Sequence, residues 1–499
     1  MLRHRKPFDR ARPEDVGIPS RLVLNYLDKL ECCGTQMHGL MIMRHDELIT
    51  EAFWTPFGPN IRHGLQSHSK TYAGTAIGIA YTKGILKLDE RIVDIFPEEV
   101  PEEIDENLNS LMIRDLLTMS CGMKQTPVAS DHWIRDFLHT PVVDKPGSVF
   151  MYNSYASNLL GAIIRKKTGQ SLHEFLKNHL FEKIGIDADN LKWMILPDGS
   201  EFCAGGLYAT LEDNFRLLKL YADGGVWEGE RILAEDFVKM ATSSQIDTSS
   251  GNEDLDHADN AKGYGFQLWM CQLHNAYRAD GFLGEFTIVL PDLDMIIGIT
   301  ETAMGQHVAQ KVLNITWDFA DKISSGKDID QDDDAYELLA ARLKTLNIGN
   351  PVCQPFSRII DQINGREYEL QSGTWTPFEG NFMTGEKSDN ILSFRFDFDE
   401  YGFIWSFETQ SGRKEKIRFA SNGTRFTNLI GKQDDLTRLY LGDAYFADDE
   451  TLIMNGRFVE TCIEDSYRLT FNDKKITIVK LNQAGPFFGK PELIEAKQK

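Results

Sequence analysis

The chain has 499 residues, of which 42% are hydrophobic, and this length and composition allow several domains with full-sized cores. Lysine and arginine total 53 against 75 aspartate and glutamate residues, which gives a formal charge of −22 and argues against a nucleic-acid or anionic-membrane surface. The longest apolar runs fall short of the roughly 18 residues that a membrane-spanning helix needs, so we expect a soluble protein with no membrane partner.

The N-terminus and the cysteines predict a cytoplasmic location. Residues 1–10 are basic, and no apolar segment follows them, so a secretory signal is not expected. Seven cysteines are scattered along the chain without a CxxC motif. This usage indicates reduced thiols rather than a disulfide framework.

The first 323 residues alternate between strand-like and helical patterns, and the pattern over about 86–255 is mostly helical. Helices are predicted at 20–30, 67–83 and 308–323, and strands at 38–44, 48–53, 266–271, 285–290 and 295–300. This order predicts an α/β (α+β) domain over 1–323, in which an antiparallel sheet is flanked by helices and interrupted by a helical insertion at about 86–255.

The acidic segment SSGKDIDQDDD, residues 324–334, is the predicted linker to a second domain at 335–499. After a short helix near 337–346, the second domain consists of aromatic-rich strand patterns at a spacing of about ten residues. This spacing predicts an all-β barrel or sandwich.

Common catalytic motifs are missing from the sequence. It contains no GxSxG, GxxxxGK[ST], GxGxxG or HExxH pattern, which argues against the usual hydrolase, nucleotide-binding and zinc-protease sites. His63 and His68 are five residues apart near a helix start, but we interpret them as ordinary histidines and expect no metal.

An SxxK tetrapeptide, Ser67 to Lys70, lies where a loop enters the predicted helix. One helical turn places the hydroxyl and the amine on the same face, so the amine can take the hydroxyl proton if burial lowers its pKa. The same SxxK pattern occurs twice more, at 324–327 in the linker and at 411–414 in a predicted turn. Ser67 differs because its helix continues with an apolar stripe formed by Ala73, Ala76, Ile77 and Ala80.

From residue 53 to about 323 the chain resembles the serine β-lactamase and penicillin-binding-protein-like superfamily. The resemblance is to the branch of class C β-lactamases, D-aminopeptidases and 6-aminohexanoate-dimer hydrolases. The segments that carry it, in the family's order, are SHSKTYAGTAIGIAYTKGILKLDERI, IRDLLTMSCGM, PGSVFMYNSYASNLLGAIIRKKTGQSL, AGGLYATLEDNFRLLKLYADGG and ADGFLGEFTIVLPDLDMIIGIT. The β domain resembles the barrel or lipocalin-like appendages of some relatives.

The resemblance implies roles for individual residues. Ser67 matches the acylated nucleophile, Lys70 its proton partner, and Tyr152 the tyrosine of the second motif, with Tyr155 or a purely structural Tyr152 as alternatives. The backbone amides of Ser67 and Phe282 would form the oxyanion hole. The resemblance implies no cofactor.

The chain departs from the family in two motifs. The second motif reads Tyr152-Asn153-Ser154, the Tyr-x-Ser form of the amide-dimer hydrolases, which makes Ser154 a candidate substrate contact. The third motif aligns with Ala279-Asp280-Gly281 and so lacks the Lys or His that would hold a β-lactam carboxylate.

Further sequence features bear on the site. Asp280 and Gly281 are candidate substrate contacts, with Gly281 allowing close backbone approach. Glu285 is a candidate that would repel anionic substrates if it faces the pocket, the alternative being a surface glutamate. Literal copies of family motifs at Lys167-Thr168-Gly169 and Ser388-Asp389-Asn390 are interpreted as structural.

Three functions follow as alternatives. The first is a serine hydrolase acting through an acyl-enzyme on small esters, amides or peptide-like substrates, and the second is a β-lactamase or D-Ala-D-Ala carboxypeptidase. The third is a non-catalytic binding protein on the same fold. A homo-oligomer is possible, and the β domain would serve substrate gating or dimerisation through an exposed strand face that includes Trp405.

Overall fold

The computed structural model of this protein divides into two compact units, residues 1–346 and 347–499. Each unit has its own secondary structure and core. The residues that the structure describes are 5–124, 129–250, 255–303, 308–323, 329–377, 387–431, 436–461, 464–481 and 493–499.

The first unit is built on an antiparallel sheet. Its described strands are β1 (Gln36–Arg44), β2 (Glu47–Phe53), β3 (His63–Gly64), β4 (Lys192–Trp193), β5 (Leu207–Ala209), β6 (Val226–Trp227), β7 (Glu230–Arg231), β8 (Trp269–Met270), β9 (Tyr277–Asp280), β10 (Phe286–Leu290) and β11 (Met295–Thr302). The main sheet has the order β2-β1-β11-β10-β9-β8, and β3-β5-β4 form a small second sheet. All residues of β10 and β11 are buried, because both faces of the sheet are covered.

Helices cover this sheet. The described helices are α1 (Ser20–Cys32), α2 (Ser69–Thr82), α3 (Ile92–Ile95), α4 (Glu106–Ser110), α5 (Ile113–Leu117), α6 (Trp133–Leu138), α7 (Ser154–Thr168), α8 (Leu172–Leu176), α9 (Glu182–Ile184), α10 (Leu211–Ala222), α11 (Glu235–Ala241), α12 (Val308–Ala320) and α13 (Asp333–Leu343). Helix α10 packs against β1, β10 and β11, and α1 packs against β1 and α12. The predicted sheet flanked by helices, with a helical insertion, is confirmed.

Helix α2 runs through the middle of the first unit. Every residue from Ser69 to Ala80 is buried, and the helix packs against α7, α8 and α11. A helix that is buried all round needs small and apolar residues on every face, which explains the sequence TYAGTAIGIA. The element that begins at the SxxK motif is therefore a rigid part of the core.

The division of the chain lies at residue 346, after the predicted linker at 324–334. The cause is helix α13, which begins at Asp333 and packs against α1, so this helix belongs to the first unit. Residues 324–328 of the predicted linker lie outside the described residues.

The second unit is a closed β-barrel, as predicted. Its described elements are α14 (Ile360–Ile363), β12 (Glu367–Ser372), β13 (Ile391–Asp399), β14 (Gly402–Thr409), β15 (Lys414–Ala420), β16 (Phe426–Leu429), β17 (Leu439–Asp448), β18 (Thr451–Phe458), β19 (Glu464–Asn472), β20 (Lys475–Lys480) and β21 (Leu493–Gln498). The strands follow one another as β15-β14-β13-β12-β21-β20-β19-β18-β17, and pairing of Ala420 with Asp443 closes the ring.

Aromatic side chains fill the barrel. Buried residues alternate along β13 and β14, as expected for strands with one face inward. Trp375 and Trp405 are both fully buried and stack at 4.7 Å between ring centroids. The prediction that Trp405 lies on an exposed strand face is therefore wrong. Within the described ranges, no helix of either unit combines the length and apolar character needed to cross a membrane.

Candidate active site

Ser67 lies in a short 3₁₀ segment, Gln66–His68, directly before α2. Gln66 has a φ of 48°, an unusual conformation for a side-chain-bearing residue that costs on the order of 1 kcal/mol or more. The surrounding structure holds this turn in place. The Leu65 amide donates to Leu207 O at 2.8 Å, and the Leu207 amide donates to Ser69 Oγ at 3.1 Å.

Lys70 lies one turn further along, beside the Ser67 hydroxyl. Its Nζ is 2.9 Å from Ser67 Oγ and donates to Ala204 O at 2.6 Å. The side chain is 1% exposed. Burial lowers the pKa of Lys70 from its ordinary 10.5 to about 7, although the Asp280 carboxylate acts in the opposite direction. Near neutral pH a large share of the Lys70 amine is therefore unprotonated and able to take a proton.

Tyr152 joins this pair from the segment before α7. Its side chain lies beside that of Ser67, and the Lys70 Nζ is 4.8 Å from its ring centroid. Burial raises the pKa of Tyr152 well above its ordinary value. The tyrosine is therefore protonated at neutral pH, and the directions of the two pKa shifts favour Lys70 as the base and Tyr152 as a proton carrier.

The second motif also determines where α7 begins. Asn153 is the N-cap of this helix, and its Oδ1 accepts from the amides of Tyr155 and Ala156 at 3.0 and 3.3 Å. Ser154 is the first residue of the helix and is half-buried. Tyr155, the alternative catalytic tyrosine, is buried against Trp133, and its hydroxyl has no hydrogen-bond partner among the described residues.

The turn after β9 carries Phe282, whose amide is the predicted second oxyanion donor. Gly281 donates its amide to Glu285 O at 2.9 Å, and the Gly284 amide donates to Gly281 O at 3.1 Å. A Cβ at position 281 would lie 2.5 Å from Leu65 O, so this turn is in close contact with the segment that leads to Ser67. Glycine is required at 281 because backbone approaches backbone there.

Two buried glutamates support the same turn. Glu285 is 1% exposed and accepts from the Leu283 amide at 3.3 Å, so the alternative of a surface glutamate is wrong. Glu301 is fully buried and accepts from Thr35 Oγ1 at 2.7 Å. Burial, with the nearby Glu285 charge, raises the pKa of Glu301 well above its ordinary value. A Cβ at Gly284 would lie 2.0 Å from Glu301 Oε1.

Asp280 ends β9 beside the catalytic group. Its Oδ2 accepts from Arg278 Nε at 2.8 Å, and its side chain is 21% exposed, whereas Arg278 is fully buried. Nothing in the sequence pattern singled out Arg278, although it directly precedes the third motif. The Ala204 carbonyl, which accepts a hydrogen bond from Lys70, is a backbone group, so the side-chain sequence could not predict this contact.

A group of aromatic side chains lies beside Tyr152. Trp269 stacks on Tyr152 with ring centroids 5.7 Å apart, and Phe150 and Tyr264 pack against both. Phe150, Tyr152 and Trp269 are each half-buried. No sequence pattern singled out Phe150, Tyr264 or Trp269, because aromatic residues are equally typical of a core.

The other sequence candidates lie elsewhere. Ser411 Oγ donates to Asp389 Oδ2 at 2.6 Å and Lys414 is exposed, so this second SxxK does not form a buried pair. The SxxK at 324–327 lies outside the described residues. Gly169 ends α7 with a φ of 74°, as predicted for a helix stop. Among the described residues no group of three or more His, Cys, Asp or Glu is arranged to hold a metal.

Comparisons with known proteins identify the family of this chain. The sequence model of the Beta-lactamase family matches residues 27–320. The 6-aminohexanoate-dimer hydrolase of Paenarthrobacter ureafaciens is 24% identical over 46% of this chain. A putative D-alanyl-D-alanine carboxypeptidase of Escherichia coli is 27% identical over 25% of it. The chain spans 63% and 32% of the lengths of these relatives.

A solved structure shares the fold. The putative 6-aminohexanoate-dimer hydrolase from Bacillus anthracis superposes with a TM-score of 0.52 and 19% identity, over 64% of this chain and 88% of that one. The family match covers more than half of the chain and includes Ser67, Lys70 and Tyr152. The chain therefore belongs to the Beta-lactamase family.

Proposed function

We propose that this protein is a serine hydrolase that cleaves small esters or amides through an acyl-enzyme on Ser67. The observation that carries the proposal is the 2.9 Å contact between Ser67 Oγ and the Nζ of a buried Lys70 whose pKa is about 7. A buried lysine of this kind is an effective base near neutral pH. The family membership and the hydrolases among the relatives support the same class of reaction.

The proposed reaction has two steps. Neutral Lys70 takes the Ser67 proton while Oγ bonds to the substrate carbonyl carbon, and the amides of Ser67 and Phe282 stabilise the oxyanion. The proton then passes through Tyr152 to the leaving alcohol or amine as its bond to the carbonyl carbon breaks. Water next attacks the acyl carbon and gives a proton to neutral Lys70, the Oγ–acyl bond breaks, and Lys70 returns this proton to Ser67 Oγ as the acid product leaves.

A β-lactamase or carboxypeptidase activity is the weaker alternative. The third motif has Ala279 where a cation would hold a carboxylate, and the adjacent charged group that reaches solvent is the Asp280 carboxylate. We expect opening of a chromogenic cephalosporin to be at least about a hundredfold slower than cleavage of a nitrophenyl ester, since an ion pair of about 3 kcal/mol is replaced by repulsion.

The experiment that tests the proposal is covalent labelling with a serine-reactive fluorophosphonate, read by intact mass and peptide mapping. We expect one label per chain on Ser67, lost in Ser67→Ala and strongly reduced in Lys70→Met. Ser411→Ala is the matched control, because it removes the serine of the second SxxK without touching the buried pair.

Failure of labelling in a folded protein would contradict the proposal. If an active control hydrolase is labelled and this chain is not, the non-catalytic binding protein becomes the preferred function. Labelling that persists in Ser67→Ala would show that another residue is the nucleophile. The cytoplasmic location and a homo-oligomer stay predictions from the sequence.

A further inference from the structure

Among Lys70, Arg278 and Asp280, the described charged groups around Ser67, the one that reaches solvent is the Asp280 carboxylate. Asp280 retains 21% exposure, whereas Lys70 is 1% exposed and Arg278 is fully buried. Asp280 is close enough to Lys70 to act on its pKa. A substrate bound at Ser67 therefore meets a negative group beside the scissile carbonyl.

Arg278 does not neutralise this region. Its guanidinium donates to Asp280 Oδ2 at 2.8 Å and to Asn260 Oδ1 at 2.7 Å, and the buried carboxylate of Asp259 also acts on it. Asp259 is held by hydrogen bonds from Gln272, Gln310 and Trp317. Two carboxylates thus share one guanidinium, which leaves an excess of negative charge.

Asp280 has an oxygen available for a ligand. Its Oδ2 is engaged by Arg278, while Oδ1 makes no hydrogen bond to any residue in the described part of the chain. Burial raises the pKa of Asp280 and Arg278 opposes this effect. Because a buried guanidinium requires a counter-charge, we take Asp280 to be ionised at neutral pH.

Aromatic faces next to this carboxylate already receive cations. The Lys70 Nζ is 4.8 Å from the Tyr152 ring centroid, and the Arg278 Cζ is 5.8 Å from that of Trp269. Phe282, on the turn after Asp280, is 43% exposed. A carboxylate combined with aromatic faces is the usual environment for an ammonium group.

We infer that Asp280 is a specificity residue that selects substrates carrying an ammonium or similar cation near the scissile carbonyl and rejects substrates with a carboxylate there. The inference rests on the proposed function and names its substrate class. A cation at position 279 would favour substrates with a carboxylate. In this chain position 279 is alanine and the charge at the end of β9 is that of Asp280, so we expect the opposite preference.

The test compares nitrophenyl esters that differ in the charge at the end of the acyl chain. The three acyl groups are trimethylammoniobutyrate, its tert-butyl isostere and glutarate. For the wild-type protein at low ionic strength we expect kcat/KM for the cationic ester to exceed that of the isostere by about tenfold or more, with glutarate slowest. Asp280→Asn should bring the cationic and neutral esters to within about twofold of each other.

The matched control is Asp292→Asn, which removes an exposed carboxylate of the same unit at the β10–β11 turn and should leave the ratio unchanged. A wild-type ratio near one, or a ratio that Asp280→Asn does not change, would overturn the inference. In either case labelling of Ser67 would leave the proposed function standing. If Asp280→Asn does not fold, the wild-type protein is measured alone. A kcat/KM ratio of cationic to neutral ester well above one that falls with added salt supports the inference, and a ratio near one overturns it.

A binding measurement keeps the inference testable if no ester is cleaved. Butyltrimethylammonium chloride and sodium valerate are titrated into Ser67→Ala, with tryptophan fluorescence as the readout. We expect the cation to bind at least about tenfold more tightly than the carboxylate, and Asp280→Asn in this background to abolish the difference. Equal binding, or tighter binding of valerate, would overturn the inference.

Discussion

Burial of Lys70 couples the proposed chemistry to stability. The pKa of this lysine is about 7 in the folded protein against an ordinary 10.5. Below pH 7 both the folded and the unfolded chain hold the proton, and the folded state bears the full cost of a buried charge. Between pH 7 and 10.5 the unfolded chain holds more protons at this residue, so the free energy of unfolding rises with pH.

Replacement of Lys70 by methionine should remove this slope. We expect the free energy of unfolding of the wild-type protein, relative to Lys70→Met, to increase by about 1 to 3 kcal/mol between pH 7 and pH 10. Urea unfolding at fixed pH measures the difference. Lys83→Met, at the exposed end of α2, is the control and should show no such change. If the wild-type protein and Lys70→Met differed in unfolding free energy by the same amount at pH 7 and pH 10, burial would not lower the pKa of Lys70.

Arg278 is expected to be a structural requirement of the site. It is fully buried and shared by Asp280 and Asp259, so Arg278→Met leaves two carboxylates without compensation. We expect a loss of about 3 to 5 kcal/mol in the free energy of unfolding. Arg91→Met removes an exposed partner of Asp94 and should cost less than about 1 kcal/mol. If both variants lost a similar amount of unfolding free energy, burial of the arginine would not determine the loss.

The sequence brings out the proposed catalytic residues more readily than the residues that surround them. Ser67 and Lys70 are three residues apart in sequence, so helical geometry alone brings them together. Tertiary packing alone brings three other groups to the site, namely Arg278, Trp269 and the Ala204 carbonyl. No local sequence pattern predicts their contacts. Family resemblance supplied Tyr152 and Phe282, which are far from Ser67 along the chain.

At the scale of elements, the turn from Gly281 to Gly284 has little free space around its two glycines. Gly284 has a φ of 101°, and a Cβ there would meet the buried Glu301 carboxyl. Because the carboxyl is enclosed, the strain of an added methyl group would move the turn that carries Phe282.

Gly284→Ala should therefore lower kcat by about tenfold or more with little change in KM, since an oxyanion donor acts mainly in the transition state. Gly169→Ala is the matched control. It also has a positive φ of 74°, but a Cβ there has no neighbour within 4 Å, so we expect only about 1 kcal/mol of destabilisation and unchanged kcat. Full activity of Gly284→Ala would argue against the oxyanion role of this turn.

Element prediction succeeded where the pattern was local. Strands β1, β2, β10 and β11 and helix α2 were predicted within about two residues, because each has a continuous apolar run or stripe. Strand β18 was not predicted. It contains Asn455-Gly456, a pair typical of turns, yet both residues pair with β17 in the middle of the strand. Cross-strand partners outweighed the local preference there.

At the scale of the whole molecule, two separate cores account for the composition. The first unit has a core around the buried helix α2, and the barrel has a separate core in which aromatic side chains stack on one another. The sequence predicted both fold classes but not the two neighbouring strands β12 and β21, which join the first and last strands of the barrel. β12 and β21 are short, carry charged residues and pair with each other across more than a hundred residues, so no local pattern identifies them.

The barrel should depend on its central tryptophans. Trp405 is fully buried against Trp375, and Trp405→Ala should lower the free energy of unfolding of the second unit by about 3 to 5 kcal/mol. Hydrogen exchange of β13 to β15 measures the loss. Tyr401→Ala, 55% exposed in the turn between β13 and β14, should change exchange very little. Unaltered protection in Trp405→Ala would contradict a packed interior.

The central claim is that Ser67 is acylated with neutral Lys70 as its base. The most direct measurement is the rate of Ser67 acylation by a nitrophenyl ester, followed by rapid-quench intact mass between pH 5.5 and pH 8.5. Because the base must be unprotonated, we predict a rate that rises with a midpoint near pH 7 and then levels off. No adduct on Ser67, or a rate that does not change across this range, would contradict the claim.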